Sequence, residues 1–203
     1  MHLVFHDIVS LNDPRYDDYL DLYQRSFPPD EQELVSRQNR ILRAAMRGEN
    51  TPNHIFVAIA PDGGTAGMAR YEMTDDAAVL WYLAVAERLR GEGLGSAIYA
   101  EVVRRVREAE PAGAALVYEV EDPARAADPR SAERRIEFYQ RNGGLLLGGI
   151  AYVQSVGWQP PLPMCLMVHP FGPIDAPRAV ALCERVFGTA VQRVDALTLH
   201  GIG

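Results

Sequence analysis

The sequence predicts one α/β domain over residues 1–203, in which about seven strands form a mixed sheet with helices on both faces. Short runs of β-forming residues occur along the chain together with stretches that repeat apolar residues every three or four positions. The helical stretches are grouped early and interleave with strands later, which indicates a mixed sheet. No internal repeat or low-complexity tract suggests a second domain.

Composition and charge narrow the classes of function. The chain has 48% hydrophobic and 23% charged residues, a balance that is too apolar for a disordered protein. Its net charge of -7 and pI near 5.2 disfavour nucleic acid and anionic membranes as partners. No apolar run reaches the roughly 20 residues that span a bilayer and no leader pattern opens the chain, so we expect a cytoplasmic protein. Cys165 and Cys183 belong to no disulfide or metal-binding pattern.

The first half of the chain predicts one strand, two helices and a run of strands. Apolar and aromatic side chains recur at helical spacing from Tyr16 to Phe27, and the prolines that follow end this helix. Gly63 and Gly64 supply the positive φ angles of a hairpin turn. In order, the predicted elements are a strand over 1–9, helices over 14–27 and 34–48, and strands over 54–60, 65–74 and 77–86.

The second half predicts strands and helices in alternation. Leu94, Ala97, Ile98 and Val102 repeat at helical spacing, and the glycine pair at 143–144 ends a second helix. In order, the predicted elements are a helix over 94–108, a strand over 114–121, a helix over 131–142, two strands over 145–154 and 164–169 that pair antiparallel, and a helix over 179–187.

Three glycines within five residues, Gly91, Gly93 and Gly95, lie where the apolar strand over 77–86 turns into the next helix. The first amides of a helix lack internal partners, and glycine lets a ligand approach them, so a phosphate is the natural ligand. Arg88 and Arg90 add positive charge beside the turn. A tight turn without a ligand is the alternative. The two common nucleotide motifs do not match, because no Gly-Lys-Ser/Thr follows and the third glycine of the dinucleotide fingerprint is absent.

The spacing Arg90-x-x-Gly93-x-Gly95 resembles the Arg/Gln-x-x-Gly-x-Gly/Ala signature of the GNAT superfamily of acetyl-CoA-dependent N-acetyltransferases. The aromatic pair Phe138-Tyr139 falls in a later helix, where that superfamily has its second landmark. The close resemblance covers roughly residues 79 to 144. It implies a GNAT-like fold with a splayed central pair of parallel strands, and acetyl-CoA as the cosubstrate.

The same resemblance implies which residues bind the cofactor. The strand before the glycines would hydrogen-bond the pantetheine arm, and the turn would bind the diphosphate through its backbone amides. Tyr139 would lie near the thioester sulfur and protonate the leaving thiolate, with helix packing as its alternative role. The implied cofactor-binding residues are Leu83, Ala84, Val85, Arg88, Arg90, Gly91, Gly93, Leu94, Gly95, Ser96 and Tyr139.

Two acids are candidates for the base that removes the proton of an attacking amine. Glu119 and Glu121 alternate with Tyr118 and Val120, so both point to one side of the predicted strand over 114–121. Carboxylates are expensive to bury, which favours a chemical role in the catalytic site. The alternative is that both lie beyond the sheet edge in solvent. The histidines show no metal-ligand spacing, so we expect no metal site.

We therefore predict an N-acetyltransferase that moves an acetyl group from acetyl-CoA to a primary amine of a small molecule or peptide by direct attack. A non-catalytic acyl-CoA-binding or sensing module is the alternative. A nucleotide-dependent oxidoreductase is disfavoured, because several elements precede the glycine turn and the dinucleotide fingerprint does not match. The resemblance also suggests a homodimer, for which the apolar C-terminal strands would supply the contact surface.

Overall fold

The computed structural model describes residues 2–29, 31–109, 115–155 and 160–202, and over these residues the chain forms eight strands and five α-helices. The helices are α1 Tyr16–Ser26, α2 Val35–Met46, α3 Leu94–Ala109, α4 Pro129–Arg141 and α5 Ala176–Phe187. The strands are β1 Val4–Asp7, β2 Asn53–Ile59, β3 Thr65–Met73, β4 Ala78–Val85, β5 Ala115–Glu121, β6 Leu145–Gln154, β7 Leu162–Pro170 and β8 Val191–His200.

The strand order is β1-β2-β3-β4-β5-β7-β6-β8. β4 and β5 are the parallel neighbours, and α3 connects them along the chain. The strands are therefore mixed in direction and carry helices between them, which confirms the predicted fold class. No helix in the described part of the chain is long and apolar enough to cross a membrane.

The chain divides into two compact units. In its described residues, the first unit comprises 2–29, 31–73 and 80–102 and contains β1 to β3 with α1 and α2. Its core is aromatic, because Tyr16, Tyr19 and Tyr23 of α1 stack on one another at successive helical turns. Tyr82 of β4 meets the edge of Tyr23 with 4.8 Å between ring centroids. The tyrosine face that the sequence repeats at helical spacing is thus the buried face of α1.

The second unit comprises residues 74–79, 103–155 and 160–203, of which 110–114 and 203 lie outside the described part. β5 pairs antiparallel with β7, β7 with β6, and β6 with β8. An aspartate caps the start of each helix in this unit: Asp128 accepts from the amide of Ser131, and Asp175 accepts from the amide of Arg178. The antiparallel pairing predicted for β6 and β7 is confirmed.

Two details of the sequence prediction were wrong. β8 was not predicted, so the sheet has eight strands where about seven were expected. α4 begins at Pro129, two residues before the predicted start, because Asp128 is its cap and proline is well suited to the first turn. Ala114, the predicted first residue of β5, lies outside the described residues.

Candidate functional site

The turn between β4 and α3 has the backbone that the glycines were expected to provide. A single turn of 3₁₀ helix, Glu87–Leu89, follows β4. Gly91 and Gly93 then adopt φ angles of +86° and +78°, which only glycine takes readily. A Cβ built on either residue would meet no atom within 4 Å. The space beside both glycines is therefore open, and glycine is required here by the backbone angle rather than by crowding within the protein.

The amides at the start of α3 are available to a ligand. The first hydrogen bond of this helix runs from the amide of Ala97 to the carbonyl of Gly93, at 3.3 Å. The amides of Leu94, Gly95 and Ser96 precede that bond, in the first turn, where a helix has no internal acceptors. The positive end of the helix dipole lies at the same place. The turn from 91 to 96 thus has the geometry of an anion-binding helix start.

The two arginines near the turn are held by backbone carbonyls. Nε of Arg90 donates to the carbonyl of Val85 at 3.3 Å, and Nη2 of Arg88 donates to the carbonyl of Thr65 at 3.2 Å. Both guanidinium groups line a cavity of about 760 Å³, together with Asp18 and other side chains of α1. Arg90 therefore holds the turn against the end of β4.

β4 presents alternate residues to different surroundings. Ala84 is buried, whereas Leu83 and Val85 are half-buried. Gly67 of β3 lies so close to the carbonyl of Ala84 that a Cβ at position 67 would overlap it. The absence of a side chain at Gly67 thus lets β3 approach the end of β4 that leads into the glycine turn.

Arg70 and Glu33 form a buried ion pair that sequence reasoning did not identify. Arg70 of β3 is 2% exposed and pairs with the carboxylate of Glu33, in the segment between α1 and α2. Its Nη2 also donates to the side-chain oxygen of Asn53 at 3.0 Å. The hydroxyl of Tyr82 accepts from the amide of Glu33 at 3.1 Å and donates to the carbonyl of Glu31 at 3.1 Å. The segment between α1 and α2 is thereby tied to both β3 and β4.

Tyr139 lies on the inner face of α4. It is 8% exposed, and its ring centroid is 4.3 Å from that of Tyr118 of β5. Burial raises the pKa of Tyr139 to about 12, and the positive charge of Arg135, one turn earlier on α4, acts in the opposite direction. The phenol therefore keeps its proton at neutral pH.

Glu119 faces away from Tyr139. Successive residues of a strand point to opposite faces, so Tyr118 and Glu119 lie on different faces of β5. Tyr118 contacts α4 through Tyr139, whereas Glu119 lies on the side of Tyr152 of β6, whose pKa is raised first by burial and then by the charge of Glu119. Tyr139 and Glu119 thus lie on opposite sides of β5. Sequence reasoning did not identify Tyr152, because nothing in the sequence pairs β6 residues with those of β5.

Glu121 is engaged in an ion pair. Its carboxylate lies 3.3 Å from Nη1 of Arg135, and both side chains are partly exposed. The two acids predicted on one side of β5 therefore have different neighbours: Glu119 influences the pKa of Tyr152, and Glu121 forms an ion pair with Arg135. Within the described ranges, no group of three or more His, Cys, Asp or Glu side chains is arranged to hold a metal ion.

The sequence model of the acetyltransferase (GNAT) family matches residues 16–143. No curated protein matches the chain by sequence. A solved structure from Bacteroides thetaiotaomicron, assigned to the GNAT acetyltransferases, superposes with a TM-score of 0.71 and 26% identity, over 92% of this chain and 96% of that one.

Two more distant structures share the fold. A GNAT family acetyltransferase from Elizabethkingia anophelis with acetyl-CoA bound has a TM-score of 0.55 and 14% identity, over 83% of this chain and 98% of that one. A spermidine N-acetyltransferase chimera from Vibrio cholerae and hSSAT has a TM-score of 0.63 and 11% identity, over 84% of this chain and 96% of that one.

Proposed function

Since the chain belongs to the GNAT family of acetyltransferases and is therefore an acyltransferase that uses acetyl-CoA, we propose that it acetylates a primary amine of a small molecule or peptide by direct attack. The observation that carries this proposal is the turn from 91 to 96, which lies inside the matched residues and combines two left-handed glycines with the amides at the start of α3. The family supports acetyl transfer, and the amine acceptor is our proposal.

The turn from 91 to 96 would bind the diphosphate of acetyl-CoA. The open space beside Gly91 and Gly93 and the amides at the start of α3 fit an anion of that size and charge. Arg88 and Arg90 would add a favourable positive potential, although carbonyl groups hold both side chains in place. The backbone of Leu83, Ala84 and Val85 would hydrogen-bond the pantetheine arm, as the family resemblance implies.

Tyr139 would act as the general acid. In the proposed reaction the amine nitrogen forms a bond to the thioester carbonyl carbon, and the bond from that carbon to sulfur breaks. The thiolate takes a proton from the phenol of Tyr139, and the amine loses one proton to a base. Because burial keeps Tyr139 protonated, the proton is available at neutral pH, and the charge of Arg135 favours its release.

We propose Glu119 as the base. Glu119 and Glu121 both alternate with Tyr118, which contacts Tyr139, so a base at either position would act on the amine nitrogen from the side of β5 opposite the acid. The carboxylate of Glu121 is already engaged in an ion pair with Arg135, so we rank Glu121 below Glu119. We assign Glu121 to holding Arg135 on the same helix as Tyr139.

A sensing module without turnover is not favoured, because the family is one of enzymes. The amine acceptor is supported by the fold shared with the spermidine N-acetyltransferase chimera and by the net charge of -7, which favours cationic substrates over anionic ones. We also propose that residues 1–203 act as a single acetyltransferase domain.

We also propose that the protein is a homodimer and that it is cytoplasmic. β8 stands at the end of the strand order and Val194 on it is 63% exposed, which offers a second copy of the chain an edge and an apolar side chain. Cys165 and Cys183 are both free thiols, as is usual in a reducing compartment.

The test of the proposed function is thiol release from acetyl-CoA over a panel of polyamines, aminoglycosides, amino acids and peptide N-termini. We expect at least one amine to be acetylated, with the product identified by mass spectrometry. Tyr139→Phe is expected to lower kcat about a hundredfold while the KM for acetyl-CoA changes little. Acetyl-CoA binding without transfer to any amine would contradict the proposal.

A further inference from the structure

Glu72 of β3 has a carboxylate that a neighbouring tryptophan holds in place. The indole Nε1 of Trp81, on β4, donates a hydrogen bond to Oε2 of Glu72 at 2.9 Å. Both side chains are half-buried, so neither is enclosed by the protein. In the described part of the chain this is the only hydrogen bond of the carboxylate, and Glu72 forms no ion pair there. A fixed carboxylate without a counter-ion is suited to bind a cation.

The nearest arginine along β3 is paired with other groups. Arg70 lies two residues before Glu72, so the two side chains share one face of the strand. The guanidinium of Arg70 pairs with the carboxylate of Glu33 and donates to the side-chain oxygen of Asn53. Its Cζ also lies 5.9 Å from the centre of the Tyr82 ring. The charge of Arg70 is thus compensated by Glu33, and the carboxylate of Glu72 is left for another cation.

Trp81 and Glu72 lie close to the part of β4 where we expect the thioester. In the proposed function the turn from 91 to 96 binds the diphosphate, and the backbone of residues 83 to 85 bonds the pantetheine arm. The arm therefore runs from the turn towards the start of β4, and its thioester end lies beyond Leu83, on the side of Trp81. Trp81 is two residues before Leu83, or about 6.6 Å along the strand. Glu72 is on the neighbouring strand, about 4.8 Å away across the sheet.

The chemistry of the transfer decides which cation Glu72 binds. The attacking amine has to be neutral, because its lone pair forms the bond to the carbonyl carbon. A carboxylate bound to that nitrogen would favour the charged ammonium form, which is unreactive. Glu72 is therefore suited to a second cationic group of the same acceptor. The half-buried ring of Trp81 offers an apolar surface to the chain that joins the two nitrogens.

We infer that Glu72 is a specificity-determining residue that binds a second ammonium group of the acceptor. The protein then acetylates diamines in preference to monoamines of the same length. The inference rests on the proposed function, because the position of the thioester along β4 follows from the proposed binding of acetyl-CoA. Trp81 is the positioning residue, since its indole N–H holds the carboxylate of Glu72 beside that position.

The test compares two acceptors of the same length in the amine-acetylation assay. Putrescine has an ammonium group at each end, and 4-aminobutanol has a hydroxyl group in place of one of them. We expect Glu72→Gln to raise the KM for putrescine about tenfold, with little change in kcat or in the KM for acetyl-CoA. The preference for putrescine over 4-aminobutanol in kcat/KM should fall by about the same factor. Glu108→Gln is the matched control, because it removes one carboxylate from an exposed ion pair with Arg104 and should leave the preference unchanged.

Isothermal titration calorimetry provides a readout that does not need turnover. Putrescine is titrated into the protein saturated with coenzyme A, and Glu72→Gln should raise its Kd about tenfold. Trp81→Phe keeps an aromatic ring but removes the indole N–H, so we expect a smaller rise in Kd than for Glu72→Gln. Circular dichroism verifies that each variant is folded, and Trp81→Phe carries the test if Glu72→Gln does not fold.

The outcomes separate this inference from the proposed function. If the wild-type protein acetylates an amine but does not bind putrescine, or if Glu72→Gln affects both acceptors equally, the inference is wrong and the proposed function stands. If the protein acetylates no amine but binds putrescine through Glu72, the proposed function fails and the assignment of a cation to Glu72 stands. If it neither acetylates an amine nor binds putrescine, both fail.

Discussion

Gly93→Ala tests whether the glycine turn binds acetyl-CoA. Gly93 has a φ angle of +78°, and a Cβ at this position meets no atom within 4 Å, so the substitution costs only the strain of a left-handed alanine, about 1 kcal/mol. A phosphate oxygen held by an amide of the turn lies about 2.9 Å from the nitrogen. The added methyl group competes with the phosphate for that space. We expect the Kd for acetyl-CoA to rise at least tenfold, or about 1.4 kcal/mol.

Gly48→Ala is the matched control for this experiment. Gly48 follows α2, has a φ angle of +77° and also has no atom within 4 Å of a built Cβ. Both variants should therefore lose about the same free energy of unfolding, about 1 kcal/mol, in urea denaturation. Isothermal titration calorimetry should show weakened acetyl-CoA binding for Gly93→Ala alone. Wild-type affinity in Gly93→Ala, or an equal loss in Gly48→Ala, would refute the assignment of the diphosphate to this turn.

Three further predictions concern stability. Glu33→Gln leaves the buried guanidinium of Arg70 without its carboxylate and is expected to lower the free energy of unfolding by about 3 to 5 kcal/mol. Asp21→Asn, at an exposed ion pair, should lower it by less than about 1 kcal/mol. Equal losses in urea denaturation would contradict this ranking. Gly67→Ala drives a methyl group against the carbonyl of Ala84 and is expected to cost about 1 to 3 kcal/mol, so an unchanged melting temperature would argue against the close approach of β3 to β4. Burial raises the pKa of several tyrosines above the ordinary value of 10.0, so their burial stabilises the folded state below that pH, and this stabilisation is lost as the pH rises above it. Circular dichroism and tyrosinate absorbance should therefore change together above about pH 10. Ionisation before unfolding would contradict the burial of these side chains, which are Tyr19, Tyr23, Tyr82, Tyr139 and Tyr152.

Most of the fold could be predicted from local patterns. The tyrosines of α1 recur at helical spacing because they form its buried face, and the hairpin glycines supply the positive φ angle that its turn requires, +82° at Gly63. β8 could not be predicted in the same way. Of its ten residues only Val191 is buried, so no clear alternation marks the strand, and its pairing with β6 depends on backbone hydrogen bonds. The leucines at 197 and 199 were the only hint of period two.

The candidate site could likewise be predicted only in part from local sequence patterns. The glycine turn could be predicted because its geometry depends on residues next to one another in sequence, namely 91 to 96. The neighbours of Glu119 and the partner of Arg70 could not be predicted, because they depend on residues brought together by strand register or by a distant loop. A cation in the apolar strand β3 was a usable signal, since a buried arginine requires an acidic partner somewhere in the fold. The identity of that partner required the structure.

The most direct test of the central claim is a crystal structure of the protein with coenzyme A. We expect the diphosphate to accept hydrogen bonds from the backbone amides between Gly91 and Ser96, and the pantetheine thiol to lie within reach of the hydroxyl of Tyr139. Coenzyme A bound at another surface, with the glycine turn and the phenol both free of contact, would contradict it.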